Sequence, residues 1–70
     1  MKSFHLSGKE YIELNKLLKI TGSVDSGGVA KMMINDGLVL VNGEIELRIR
    51  RKLRVNDVVG YKNQNIKIEQ

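Results

Sequence analysis

Cysteine, proline and tryptophan are absent from this 70-residue chain, and its aromatic residues are two tyrosines and one phenylalanine. Without cysteine, neither a disulfide framework nor a thiolate zinc site can supplement a small core. The lack of proline and of any low-complexity stretch leaves no sign of a linker or a repeat. No apolar run approaches the roughly 18 residues that cross a bilayer, and Met1 to Leu6 lacks the apolar stretch of a signal peptide. A soluble, cytoplasmic protein with no membrane association is therefore expected. His5 is the only histidine. With no second histidine and no nucleophile–base pair beside it, metal binding and catalysis have no visible apparatus, so the chain reads as a non-enzyme without a cofactor. So few aromatics also argue against readout by stacked single-stranded bases.

What is present is a globular composition, 41% hydrophobic and 29% charged, in a chain long enough for one core and too short for two. A single domain over residues 1–70, working as a monomer, is expected. The formal net charge is +4 and the isoelectric point near 9.6, which favours a polyanionic partner. Distribution says more than the total. Arg48, Arg50, Arg51, Lys52 and Arg54 fall within seven residues that contain no acid, the footprint of a phosphate-binding strip or of a solvated face.

Periodicity places the elements. Lys2 to Leu6 reads as a short edge strand, and Ser7-Gly8-Lys9-Glu10 as a capping box opening a first helix, a start a few residues later being the alternative. Tyr11, Leu14, Leu17, Leu18 and Thr21 recur at helical spacing up to a stop at Gly22. Ser26, or Asp25 before it, caps a second helix whose buried stripe is Ala30, Met33, Ile34 and Gly37. Asn42-Gly43 between Leu38–Val41 and Glu44–Ile49 is a hairpin signal. A two-residue turn sets Leu38 and Leu40 beside Ile45 and Leu47, and a bulged three-residue loop sets Val39 and Val41 there. Either way Ile45, Leu47 and Ile49 share one face, and Glu44, Glu46, Arg48 and Arg50 the other. Continued alternation turns Arg51 inward, where an unpaired charge is costly, so the strand should break near Arg50 to Lys52 and swing the cations onto an exposed corner. Leu53 and Val55 then return to the core, Asn56-Asp57 turns, and Val58 to Tyr61 and Ile66 to Ile68 close a hairpin around Lys62 to Asn65. The expected class is α+β, two helices packed on a small antiparallel sheet.

Ser26-Gly27-Gly28-Val29-Ala30-Lys31, Ile34, Gly37-Leu38-Val39-Leu40-Val41-Asn42-Gly43 and Val55-Asn56-Asp57-Val58-Val59 line up as one pattern. It resembles the RNA-binding domain named after ribosomal protein S-four, the αL motif, and more narrowly the small stand-alone bacterial proteins of that family. Their signature includes a serine and two glycines before the second helix and an Arg-Lys-Leu after the hairpin, here Arg51-Lys52-Leu53. The resemblance implies an αL-type fold whose helix pair and hairpin start grip folded RNA. Two positions depart from the pattern: Gly27 stands where many members carry arginine, and Asn56 where many carry glycine. Asparagine tolerates the left-handed backbone that glycine supplies.

The candidate RNA-binding residues are Ser26, Gly27, Gly28, Lys31, Arg48, Arg50, Arg51 and Lys52. Ser26 is a helix cap or a ligand. Gly27 and Gly28 either let backbone amides approach a phosphate at a helix start or pack closely against the first helix. Lys31, one turn on from Gly27, adds a point charge on the same side. The arginines and Lys52 are phosphate contacts on the charge run. The expected partner is structured RNA, ribosomal RNA among the candidates and ribosome maturation the process that the resemblance implies. DNA and an acidic protein are the competing partners.

Overall fold

A computed structural model describes residues 1–22 and 24–70. Its elements are strand β1 (Lys2–His5), strand β2 (Ile12–Glu13), helix α1 (Leu14–Ile20), helix α2 (Gly27–Asn35) and strands β3 (Val39–Val41), β4 (Glu44–Ile45), β5 (Lys52–Leu53), β6 (Val58–Tyr61) and β7 (Gln64–Glu69). Five strands form one sheet in the order β1-β7-β6-β3-β4, and β2 and β5 form a separate two-stranded ladder. The α+β class is as expected. Three pairs of the larger sheet are antiparallel, while β1 lies parallel to β7. That parallel pair needs the whole rest of the domain as its crossover.

Alternation along the strands builds the core. Val39, Val41, Val59, Tyr61, Ile66 and Ile68 cover the inner face and join Leu14, Leu17, Leu18, Ala30 and Ile34 from the helices, together with Leu6, Val24 and Leu53. Helix α2 starts where the sequence places it, at Ser26, whose Oγ accepts a hydrogen bond from Val29 N at 3.3 Å.

The expected capping box does not form. Ser7 and Gly8 sit in left-handed backbone, φ 55° and 90°, in a turn whose Gly8 N–H donates to Gln70 Oε1 at 2.9 Å. Helix α1 begins only at Leu14. Its first amides are satisfied from elsewhere in the chain: Leu14 N–H donates to the Arg51 carbonyl at 2.9 Å and Asn15 N–H to the Ile49 carbonyl at 3.1 Å. The loop of residues 46–51 thus caps α1 with its backbone.

Asn42-Gly43 is a two-residue turn with φ 53° and 85°, pairing Val41 with Glu44 and Leu40 with Ile45. This is the primed turn that matches strand twist. The register buries Val39 and Val41 and leaves Leu38, Leu40, Ile45 and Leu47 on the solvent side. The expectation that Ile45 and Leu47 face inward is overturned, because their neighbour Glu46 takes the inner position. Val55 is likewise exposed rather than buried. The last hairpin is tighter than expected, with Lys62-Asn63 alone as its turn and Tyr61 paired with Gln64.

Candidate nucleic-acid interface

Strand β4 ends at Ile45 because of Glu46. Its N–H still donates to the Val39 carbonyl, at 3.0 Å, which points its side chain to the buried side of the hairpin. The Glu46 side chain is 8% exposed. A buried carboxylate without partners would be strongly disfavoured, and here the chain folds back to supply them. Arg48 N–H donates to Oε2 at 3.0 Å, Arg48 Nε to Oε2 at 3.0 Å, an Arg48 terminal nitrogen to Oε1 at 3.0 Å and Arg51 Nη1 to Oε1 at 2.6 Å. A further turn bond, Arg51 N–H to the Arg48 carbonyl at 3.3 Å, closes the loop.

These contacts lower the carboxyl of Glu46 to about 2. The Arg48 side chain is the main cause. Burial opposes it, and the Arg48 backbone amide and Arg51 add to it. Glu46 in turn raises the guanidinium of Arg48.

The loop gathers the candidate cations. Arg48, Arg50, Arg51 and Lys52 line one shallow concavity of about 440 Å³. Arg48 is 72% exposed at its side chain although it grips Glu46, so one edge of its guanidinium meets solvent. Arg50 is exposed and makes no ion pair among the described residues. Lys52 lies with its ammonium 5.0 Å from the centroid of Tyr11, and Arg54 stands 5.7 Å from the same ring. Tyr11, expected within α1, is therefore a prop beneath two cations.

Arg51 differs from expectation. Its side chain is only 28% exposed and bound to Glu46, so it is not a freely presented surface cation. Reversing its charge would set two carboxylates against each other in a buried place. The sequence placed Glu46 on the outer face and missed it as the organiser of the site. The only signal was an acid two and five residues before arginines.

Helix α2 carries the remaining candidates. Gly27, Gly28 and Lys31 are exposed, as is Ser26. A Cβ added at Gly27 would meet nothing within 4 Å, and one at Gly28 only Ser26 Oγ at 3.9 Å. Close packing against α1 is therefore not the reason for these glycines. Neither has a backbone angle that demands glycine. The concavity of the four cations is lined by none of these α2 residues, so the candidates form two groups. A larger open groove of about 660 Å³ lies between β1 and the start of α1. Its lining mixes Phe4, Leu6 and Tyr11 with His5, Glu13 and Lys16, and no single charge dominates it.

Two turns next to the site carry the residues of the sequence pattern. Asn42 Nδ2 donates to Asp57 Oδ1 at 3.0 Å, Val58 N–H donates to Asn42 Oδ1 at 2.9 Å, and Arg54 N–H donates to Asp57 Oδ2 at 2.8 Å. Asn42 and Asp57 therefore tie the hairpin to the turn after β5.

Among the described residues there is no cluster of metal-ligating side chains, and no helix is long and apolar enough to cross a membrane.

Comparison with known proteins places this geometry. The sequence profile of the family described as S4 domain matches residues 4–69. The putative RNA-binding protein YbcJ of Escherichia coli is 34% identical over 68 residues, covering 97% of both chains. The probable ribosome maturation protein RlbA of Bacillus subtilis is 46% identical over 50 residues, 71% of this chain and 70% of that one. The solution structure of E. coli YbcJ, described as revealing an αL motif involved in RNA binding, superposes with a TM-score of 0.76 at 33% identity over all of this chain and 89% of that one.

Proposed function

The chain belongs to the S4 domain family, and from that membership and its basic loop we propose that it is a non-catalytic RNA-binding protein that holds structured RNA by its backbone phosphates. The observation that carries the reading is the gathering of Arg48, Arg50, Arg51 and Lys52 around one shallow concavity. Guanidinium groups present forked donors that match phosphate oxygens, and a shallow basic surface suits a helical or folded backbone better than a splayed base.

Gly27, Gly28 and Lys31 form a second contact region, where an unobstructed helix start offers amides to an anion. Ser26 serves it as the cap. The protein acts as one domain and a monomer in the cytoplasm. Ribosomal RNA is its binding partner and ribosome maturation its process, a role supported by the name of the B. subtilis relative.

Competition tests the reading. A labelled RNA hairpin bound to the protein should be displaced more effectively by unlabelled hairpin than by single-stranded RNA of equal length or a DNA duplex of the same sequence. Equal displacement by the DNA duplex would show a general polyanion site. Failure of the hairpin to bind at all, with capture by an acidic protein, would make the basic loop a protein-docking surface.

A further inference from the structure

A negative charge lies buried beneath the cluster that is meant to attract phosphate. Glu46 is 8% exposed at its side chain, and it is absent from the lining of the concavity that Arg48, Arg50, Arg51 and Lys52 form. By charge alone it weakens any anion site. Its hydrogen bonds point to another role. Arg48 spends two of its five side-chain N–H donors on Glu46, and Arg51 spends one. The remaining donors of both forks have no partner among the described residues, and both side chains line the open concavity.

We propose that Glu46 is a positioning residue for RNA binding, whose buried carboxylate holds Arg48 and Arg51 with their unspent guanidinium edges toward a backbone phosphate; the inference rests on the RNA-binding reading above. Arginine is long and rotamer-rich, and fixing it before the ligand arrives removes an ordering cost from binding. The same carboxylate fixes the backbone beneath, because it also accepts the Arg48 amide. Glu46 thereby stations the carbonyls of Ile49 and Arg51 that cap α1. Arg50 lies between the two held arginines and makes no ion pair among the described residues, so it is carried by the loop rather than by the carboxylate.

The inference opposes simple electrostatics, which makes it testable. Glu46→Gln raises the net charge by one and by charge alone should tighten binding to an RNA hairpin. Positioning requires the reverse, a loss of about fivefold, with the log–log salt slope shallower by roughly 0.7 to 0.9 for each phosphate contact given up. Glu44→Gln is the control, since Glu44 is an exposed acid in the same hairpin without an ion pair among the described residues. It should bind as well as wild type or slightly better. Glu46→Asp keeps the charge and shortens the reach, and should weaken binding about two- to threefold. In the wild-type protein, the Nε–H resonances of Arg48 and Arg51 should both shift when the hairpin is added.

Wild-type or tighter binding by a natively folded Glu46→Gln overturns the inference. If that variant is unfolded, wild-type affinity in Glu46→Asp overturns it, as does an absence of arginine shifts in the wild type. Failure of the wild-type protein to bind the hairpin defeats the RNA reading itself.

Discussion

At the scale of single residues, Glu46 makes stability depend on acid. Its carboxyl is held at about 2, against an ordinary value of 4.5, so the folded state binds this proton less readily than the unfolded chain. The resulting stability is fully present above about 4.5 and is lost as pH falls toward about 2. The thermal midpoint of the wild type should fall through that window faster than that of Glu46→Gln. The gap between the two proteins, large near neutrality, should narrow as the medium is acidified. Parallel curves would show that the ion pairs contribute nothing to folding.

None of this was legible in the sequence. Alternation from Ile45 to Ile49 reads apolar residues inward and acids outward, and Glu46 obeys the opposite rule because Arg48 and Arg51 loop back to it without periodicity. The four cations were legible as a group. Their division into held and unheld arginines was not.

Among the elements, the hairpin after α2 carries the most local information. The place of the turn was legible at Asn42-Gly43, because such residues accept positive φ angles, whereas its length was left open between a two-residue turn and a bulged loop until the pairing of Val41 with Glu44 decided it. Gly43→Val adds a branched side chain at φ 85° and, although the space around it is open, should destabilise the domain by more than about 1 kcal/mol in chemical denaturation. Unchanged stability would mean that the turn relaxes to another type.

Helix α2 was legible for the same reason, a capping serine ahead of an apolar stripe. Helix α1 was legible in its interior and at its stop, where Gly22 sits at φ 75° just past the cap Thr21. Its start is fixed by carbonyls from the loop of residues 46–51, which no pattern within residues 7–14 reveals. Ladder β2–β5 is two residues long on each side, too short for alternation to register. The hydrogen bond between Asn42 and Asp57 holds together two turns 15 residues apart, a link that no local pattern reveals.

Across the whole molecule, a net charge of +4 sets the scale of the electrostatics. About three to five phosphate contacts at roughly 0.7 to 0.9 each imply a log–log salt slope of about −2 to −4.5 for the hairpin. Lys31→Glu should make that slope shallower by about one contact and weaken binding about fivefold. Lys62→Glu should do less, because Lys62 lies in the β6–β7 turn with its ammonium 5.4 Å from the centroid of Tyr61. Equal effects at the two lysines would show that only total charge is sensed.

The fold class and the order of helices and hairpins were legible from periodicity. The parallel pairing of β1 with β7 was not, since no local signal links the register of Lys2 to that of Ile66. That pairing also dictates an order of events at birth. Of the described strands, β1 leaves the ribosome first and finds its place last, because Phe4 pairs with Ile68, and His5 Nδ1 lies 2.9 Å from the carbonyl oxygen of Gln70, 65 residues away. Until β7 has emerged, Phe4 and Leu6 lack their strand partner and the domain must wait as an open nascent chain. Such distant pairings slow folding, since loop closure precedes any reward from the contact. The helices and the central hairpin can form before β7 is made, whereas the sheet closes only once β7 is available.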